Sequence, residues 1–298
     1  VGKPRLVLVH RRTELDELLE RHATRGQAEF FLGLRGRSLS EVEEQHDVIR
    51  AALQQVREAL PLAWRLAQIE RSDLSRFLWE PDDVIAVVGQ DGLVANTAKY
   101  LAGQPVIGVN PLPGVNAGSL VRHSPDEAVR LIGAAAEASA SALRSEELTM
   151  VRARLDDGQE LCALNEVFVG HASHQSARYT VATPDGGSEL QSSSGLIISS
   201  GTGSTGWCAS IARDRGGRRL PLPTERRLAW FVREAWPSPA TGTALTEGVL
   251  TRGEELRITV MSGQLVVFGD GIEADRLDAG WGQEIAVGLA DRPLLLVA

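Results

Sequence analysis

The hydrophobic positions divide the chain into two halves of different period. In the first half, short apolar runs alternate with amphipathic stretches. Leu6 to Val9 reads as a first strand, and Thr13 is placed to cap a helix carrying Leu15, Leu18 and Leu19. Ser40 and Glu43 have capping-box spacing. The helix they open places Ile49, Leu53, Val56 and Leu60 on one face before Pro61 stops it. Val84 to Val88 is a continuous apolar, mostly β-branched run, the pattern of a parallel strand covered on both faces. Gly89 to Gly92 breaks that run. A helix is predicted over Val94 to Leu101, ending at Gly103, and Val106 to Val109 is the next strand, so the segment reads as a βαβ unit. A further helix opens at Ser124-Pro125-Asp126-Glu127 and is predicted to run to about Ser145.

After that connector the period is two. Met150–Leu155, Leu161–Val169, Tyr179–Thr183, Gly195–Ser199, Leu256–Met261 and Leu265–Phe268 read as strands. Turn signals at Asp157-Gly158, Pro184 to Gly187 and Ser262-Gly263 separate several of them. The expectation is an α/β domain with a parallel sheet over residues 1–145 and an all-β domain, a sandwich, over 146–298. The last strands, Glu284–Leu289 and Leu294–Val297, either stay in the second domain or return to the first. Arg213 to Arg219 reads as an exposed loop.

Composition narrows this picture by exclusion. With 43% hydrophobic and 23% charged residues the chain has the composition of a soluble globular protein, and no apolar run is long enough to span a membrane. The apolar stretch near Val1 to Val9 is too short for a signal peptide. A formal charge of −8 argues against nucleic-acid binding by phosphate neutralisation, yet permits a nucleotide ligand held by a local positive field. Cys162 and Cys208, far apart in sequence, suit small buried positions in a reducing cytoplasm better than a disulfide. The histidines, His171 and His174 included, show no metal-ligand spacing with them, so no metal ligand is assigned.

Three loops carry residue types suited to chemistry. Gly89-Gln90-Asp91-Gly92 sits at the carboxyl end of a strand, where open α/β sheets place ligands, and precedes a helix N-terminus suited to phosphate. Asp91 suits the acceptor of a hydroxyl proton in phosphoryl transfer, although on spacing alone the loop is equally a backbone turn. The loop is neither a Walker loop nor a GxGxxG fingerprint. In Ala163-Leu164-Asn165-Glu166-Val167-Phe168, two polar neighbours interrupt an apolar strand. They mark either a ligand contact or a strand end or bulge. Ser199 to Trp207 gathers hydroxyls and glycines after Ile197-Ile198, a composition for a polar ligand loop.

Taken together, GQDG, ALNEVF and SSGLIISSGTGSTGW occur in the order and approximate spacing of the NAD kinase family, and the chain resembles its mitochondrial-type members most. The segment Gly108-Val109-Asn110 leading to Gly118-Ser119-Leu120 is also similar to that type. The resemblance implies a Rossmann-like N-terminal domain and a C-terminal β-sandwich. It further implies transfer of the γ-phosphoryl of ATP to the adenosine-ribose 2′-hydroxyl of NAD, with Mg²⁺ accompanying ATP. It makes Asp91 the general base and gives Gly89, Gln90, Gly92 and Asn110 to the nucleotide loops. Asn165 and Glu166 would hold NAD, and Thr202, Gly203, Ser204, Thr205, Gly206 and Ser210 would line the substrate cleft, with Asp270 at a late strand end. A homodimer or homotetramer follows by family analogy. Gln90 replaces the family's second glycine and Leu93 a common threonine, which bears on the phosphoryl donor. Two alternatives stay open: the same fold acting on a lipid or nucleoside hydroxyl, and a non-catalytic NAD(P)-binding homologue.

Overall fold

The computed structural model describes residues 4–116, 118–138 and 143–298. The chain forms two compact units, one of Val1–Glu146 with Leu295–Ala298 and one of Glu147–Leu294.

The first unit is built on β1 (Arg5–His10), α1 (Glu14–His22), α2 (Arg25–Gly33), α3 (Leu39–Glu58), β2 (Arg65–Glu70), β3 (Asp83–Val88), α4 (Asp91–Ala98), β4 (Pro105–Val109), α5 (Pro125–Ala138) and β5 (Ser145–Leu148). The apolar run of β1 and the whole of β3 are buried, as strands with both faces covered must be. β1 pairs in parallel with both β2 and β3, and β3 pairs in parallel with β4. The chain thus leaves β1 toward one side for β2 and returns on the other side for β3. In an open α/β sheet, that reversal opens a crevice at the carboxyl ends of the two flanking strands. Gly89 to Gly92 follows β3 directly into this position.

Helix α3 buries Leu39, Val42, Ala52, Leu53 and Val56, and the last three join the core of β1, β3 and β4. Thr13 caps α1 as expected, in a reciprocal box with Asp16. The capping box expected at Ser40 and Glu43 is not formed. Ser38 is the N-cap, because Leu39 and Val42 bury against α1 and α2 and so draw the helix start two residues earlier, while Glu43 pairs with Arg25. Helix α4 likewise starts ahead of the expected Val94, which makes Asp91 its first residue. Helix α5 is described from Pro125 to Ala138. The expected continuation over 139–142 lies outside the described residues, and Ser145 begins a strand instead.

The second unit contains β6 (Val151–Leu155), β7 (Glu160–Ala163), β8 (Glu166–Gly170), β9 (Ala177–Ala182), β10 (Ser188–Ser193), β11 (Leu196–Ser199), α6 (Trp207–Asp214), β12 (Arg227–Val232), β13 (Glu247–Thr251), β14 (Glu255–Val260), β15 (Gln264–Gly269), β16 (Leu277–Gly280) and β17 (Glu284–Leu289). These strands form two antiparallel sheets, ordered β10-β9-β14-β17-β6-β7 and β13-β12-β11-β8-β15-β16. Alternate residues of both sheets, among them Val151, Tyr179, Ile258 and Val287 from one and Val167, Ile198, Trp230 and Val267 from the other, meet in one core. The expected strand over Leu161–Val169 is in fact two strands, β7 in the first sheet and β8 in the second, because the chain changes sheet at Leu164-Asn165. The periodicity assigns no strand to β10, β12, β13 or β16. The polar β10 is held by its register with β9 instead. Arg213 and Asp214 end α6 and are not part of the loop expected there.

The two final strands separate. β17 stays in the second unit, while β18 (Leu294–Val297) pairs in parallel with β4 and extends the first sheet to the order β2-β1-β3-β4-β18-β5. Among the described residues no helix is long and apolar enough to cross a membrane.

The base of β1 and β3 is tied by one ion pair. Arg5 donates from Nε and Nη2 to the two oxygens of Asp83 at 2.8 and 2.7 Å, and the Asp83 side chain is fully buried. Asp83 also accepts from the Glu80 N–H at 2.8 Å. Removing one partner of such a pair strands the other charge. Asp83→Ala is therefore expected to lower the unfolding free energy by about 3 kcal/mol, read from urea denaturation followed by circular dichroism.

Candidate functional site

In the first unit, the turn after β3 is shaped by hydrogen bonds to its neighbours. The Gly89 N–H donates to the Val109 carbonyl at 3.1 Å, which ties the turn to the end of β4. Gln90 is the N-cap of α4 at φ −112° and ψ 163°, a conformation open to any L-residue. A glycine is therefore not required there, and the exposed Gln90 side chain causes no backbone strain. Asp91 opens the helix, and its carboxylate accepts three peptide N–H groups. Oδ1 takes Leu120 at 2.8 Å and Val121 at 3.0 Å, and Oδ2 takes Ser119 at 3.0 Å. A carboxylate offers about four lone-pair sites, two on each oxygen, so Oδ2 keeps one for an incoming hydroxyl.

The segment that Asp91 holds also packs against β4. A Cβ on Gly108 would lie 2.0 Å from the Leu120 carbonyl oxygen, so only glycine admits the loop at this height. Asn110 at the end of β4 accepts from the Leu112 N–H at 3.0 Å and from the Asn116 side-chain amide at 3.1 Å. Asn116 also reaches the Gly89 carbonyl at 3.4 Å. Gly89, Gln90, Asp91, Gly92 and Asn110 are thus brought together at the carboxyl ends of β3 and β4. The sequence singles out Gly118-Ser119-Leu120 only as a family-like segment, and it misses Asn116 and the role of the backbone of Ser119 to Val121. Asn116 carries only the weak signal of a polar residue in a Pro/Gly loop, and the backbone donors carry none.

The second unit repeats the device. Asp270, just after β15, accepts the N–H groups of Leu164 at 2.8 Å, Asn165 at 2.7 Å and Glu166 at 3.3 Å. These are the donors left without a ladder partner where the chain changes sheet. Asp270 sits at φ 53°, and that left-handed conformation costs about 1–2 kcal/mol. The three bonds offset it. On the other side, the Asn165 carbonyl accepts from the Ser200 N–H at 2.9 Å and the Ser199 hydroxyl at 3.2 Å, and the Ser200 hydroxyl donates to the Leu164 carbonyl. The Gly201 to Gly206 loop is thereby stitched to the Asn165-Glu166 turn. A Cβ on Gly203 would come within 2.4 Å of the Asn165 carbonyl oxygen, so this glycine is needed for close approach.

Thr202 to Thr205 form a single 3-10 turn. The Thr202 hydroxyl is buried without a hydrogen-bond partner among the described residues. Ser204 donates to the Ser200 carbonyl at 3.1 Å, Thr205 and Gly206 are exposed, and Ser210 lies on the first turns of α6. Asn165, Glu166, Asp270 and the Thr202–Gly206 loop therefore form one cluster in this unit. The roles of Ser199 and Ser200 are legible only in the structure.

Glu166 lies opposite Ser199 in the β8–β11 register, on the sheet face away from the core. Burial, and behind it the Asp270 carboxylate, pushes Glu166 up to about 7. The buried Cys208 thiol of α6 is pushed up to about 11, chiefly by burial. The Ser199 hydroxyl opposes that rise and Glu166 adds to it. Cys208 is a packed, protonated thiol, joined in its cluster by Ala212, Ala229 and Phe231. Beside it Trp207 stacks on Phe168 at 5.9 Å, with the Arg233 guanidinium 4.5 Å from its ring centre.

These features define an α/β unit with a polar loop at the reversal of its parallel sheet and a second, antiparallel β unit carrying polar loops, and comparison with known proteins gives the family. The chain is 32% identical over 208 residues to the NAD kinase of Heliobacterium modesticaldum, which covers 64% of this chain and 69% of that protein. It is 29% identical over 283 residues to the mitochondrial NAD kinase 2 of Rattus norvegicus (74% and 66% covered), and 26% identical over 215 residues to the NAD kinase of Chlorobaculum tepidum (71% and 69% covered). No family model matches the chain. The chain belongs to the NAD kinase family and spans about two thirds of the length of these relatives.

Glu166 gives the site a pH signature. Between the ordinary 4.5 and about 7 the folded protein holds this proton and the unfolded chain does not, so stability falls as pH rises through that window. Above it the penalty is complete. Glu166→Gln removes the group, and the variant is expected to gain about 2–3 kcal/mol over the parent at pH 8 relative to pH 4.5. Urea unfolding at the two pH values measures this, and an identical pH dependence in both proteins would refute the assignment.

Proposed function

We propose that the protein transfers the γ-phosphoryl group of ATP to the 2′-hydroxyl of the adenosine ribose of NAD, giving NADP and ADP. Family membership supports the reaction, and the Asp91 carboxylate carries the mechanism. It stands at the reversal point of the parallel sheet, held by three N–H groups and with one lone pair open on Oδ2. Oδ2 accepts the hydroxyl proton as the ribose oxygen bonds to the γ-phosphorus, and the bond from that phosphorus to the bridging oxygen breaks. The tether fixes the carboxylate without a conformational search, which is the positioning that phosphoryl transfer depends on.

The same reading gives the other residues their tasks. Gly89, Gln90, Gly92 and Asn110 form the nucleotide loop of the first unit. Asn165 and Glu166 hold NAD, and ionised Glu166 accepts from ribose hydroxyls. Thr202, Gly203, Ser204, Thr205, Gly206 and Ser210 line the substrate cleft, with the unpartnered Thr202 hydroxyl as a ready donor. Asp270 shapes the Asn165-Glu166 turn from behind.

Among the described residues no three His, Cys, Asp or Glu side chains are grouped as a metal cage. Mg²⁺ would arrive on the triphosphate, and Asp91, the carboxylate of the loop, is the residue that would face it. When bound, the cation neutralises charge on the phosphates. The first unit is taken as Rossmann-like and the second as a β-sandwich, divided near residue 145, and the protein as a cytoplasmic homodimer or homotetramer. A lipid or nucleoside acceptor and a non-catalytic homologue are not favoured by the family assignment.

Incubation with ATP, Mg²⁺ and NAD is expected to yield NADP, and Asp91→Asn to reduce the rate at least ~100-fold. NAD binding by calorimetry should change much less. A variant that turns over at the parent rate would falsify the role given to Asp91.

A further inference from the structure

At one end of the second unit, where the two antiparallel sheets stop, lies a cavity of about 270 Å³ lined by Arg152, Arg226, Arg252, Glu254, Glu255 and Asp291, with Leu289 and Ala290 also on its wall. None of these residues belongs to the loops assigned above. The cavity is just below the roughly 300–1,000 Å³ of pockets that hold drug-sized ligands, so its occupant is small.

Of the lining acids, Asp291 and Glu255 are already paired with guanidiniums, and Glu254 is turned to a peptide N–H. Asp291 pairs with Arg152 at 2.5 Å. Glu255 lies within 4.0 Å of Arg152, 3.7 Å of Arg154 and 3.3 Å of Arg257. Glu254 accepts the Thr251 N–H at 2.7 Å and closes the turn between β13 and β14. Two guanidiniums remain. Arg226, half-buried, and Arg252, exposed, have no ion pair or hydrogen bond among the described residues. Two like charges facing one polar cavity repel each other, and the half-buried one is also partly desolvated. An anion between them removes both costs, and the guanidinium fork suits the oxygens of a tetrahedral oxyanion. Gly253, at φ 85°, has open space where a Cβ would stand, which leaves the turn unobstructed.

We propose that this cavity binds a small dianion of the phosphate class, orthophosphate or a phosphomonoester, between Arg226 and Arg252. None of its lining residues belongs to the Asp91, Asn165 or Thr202 loops, and the proposal does not depend on the kinase reading.

Calorimetric titration with inorganic phosphate and, separately, with glycerol 3-phosphate, at fixed ionic strength, tests it. The parent protein is expected to show saturable binding of at least one ligand, and the tighter arm identifies the source. Arg226→Gln with Arg252→Gln should weaken that binding at least ~10-fold, the loss of one charge-assisted contact or more. The exposed Arg252→Gln alone should weaken it measurably with the thermal unfolding of the ligand-free protein unchanged. Absence of saturable binding in both arms overturns the proposal, as does binding that survives the double substitution. Failure here with NADP formation intact would leave the kinase assignment standing.

Discussion

The carboxylate of Asp91 is the point on which the loops of the first unit are held. The segment that returns from β4 toward α5 has no ladder of its own at Ser119 to Val121, and its N–H groups need acceptors. One side chain at the first turn of α4 supplies three. The arrangement is affordable only because Gly108 lacks a Cβ and the Leu120 carbonyl can lie against β4. The loop and the carboxylate fix each other: the aspartate orders the backbone, and the backbone sets which oxygen of the aspartate stays open.

The second unit solves its own version of that problem with Asp270. There the strain comes from topology, since the chain leaves one sheet at Ala163 and enters the other at Glu166. The carboxylate satisfies the donors stranded in between, and the Ser199-Ser200 pair satisfies the acceptors. Glu166 is held at the edge of this turn, partly buried and beside a second carboxylate. Its raised proton affinity is thus a by-product of how the turn is built.

Much of this was legible in the sequence, and the limits have physical causes. The buried strands β1, β3 and β4 announce themselves as unbroken apolar runs, because a strand covered on both faces has no polar positions. The GQDG, NE and GTGST loops stand out because they break such runs. The partners of Asp91 and Asp270 do not, since main-chain N–H groups belong to every residue and leave no compositional trace. The sheet change at Leu164-Asn165 is invisible for a related reason: both halves alternate alike, and only tertiary pairing separates them. β10, reading Ser-Glu-Leu-Gln-Ser-Ser, is a strand by virtue of β9 rather than its own pattern. Gln90, where the family has a glycine, stands in an extended N-cap backbone that any residue adopts without strain.

Amide hydrogen exchange at Ser119, Leu120 and Val121 tests the dual role of Asp91 most directly, measured in the parent and in Asp91→Asn. If the carboxylate orders the loop that positions it, the substitution speeds exchange at these three amides while the strands β1 and β3 keep their protection. Unchanged protection at all three would contradict it, since the loop would then be held without the carboxylate.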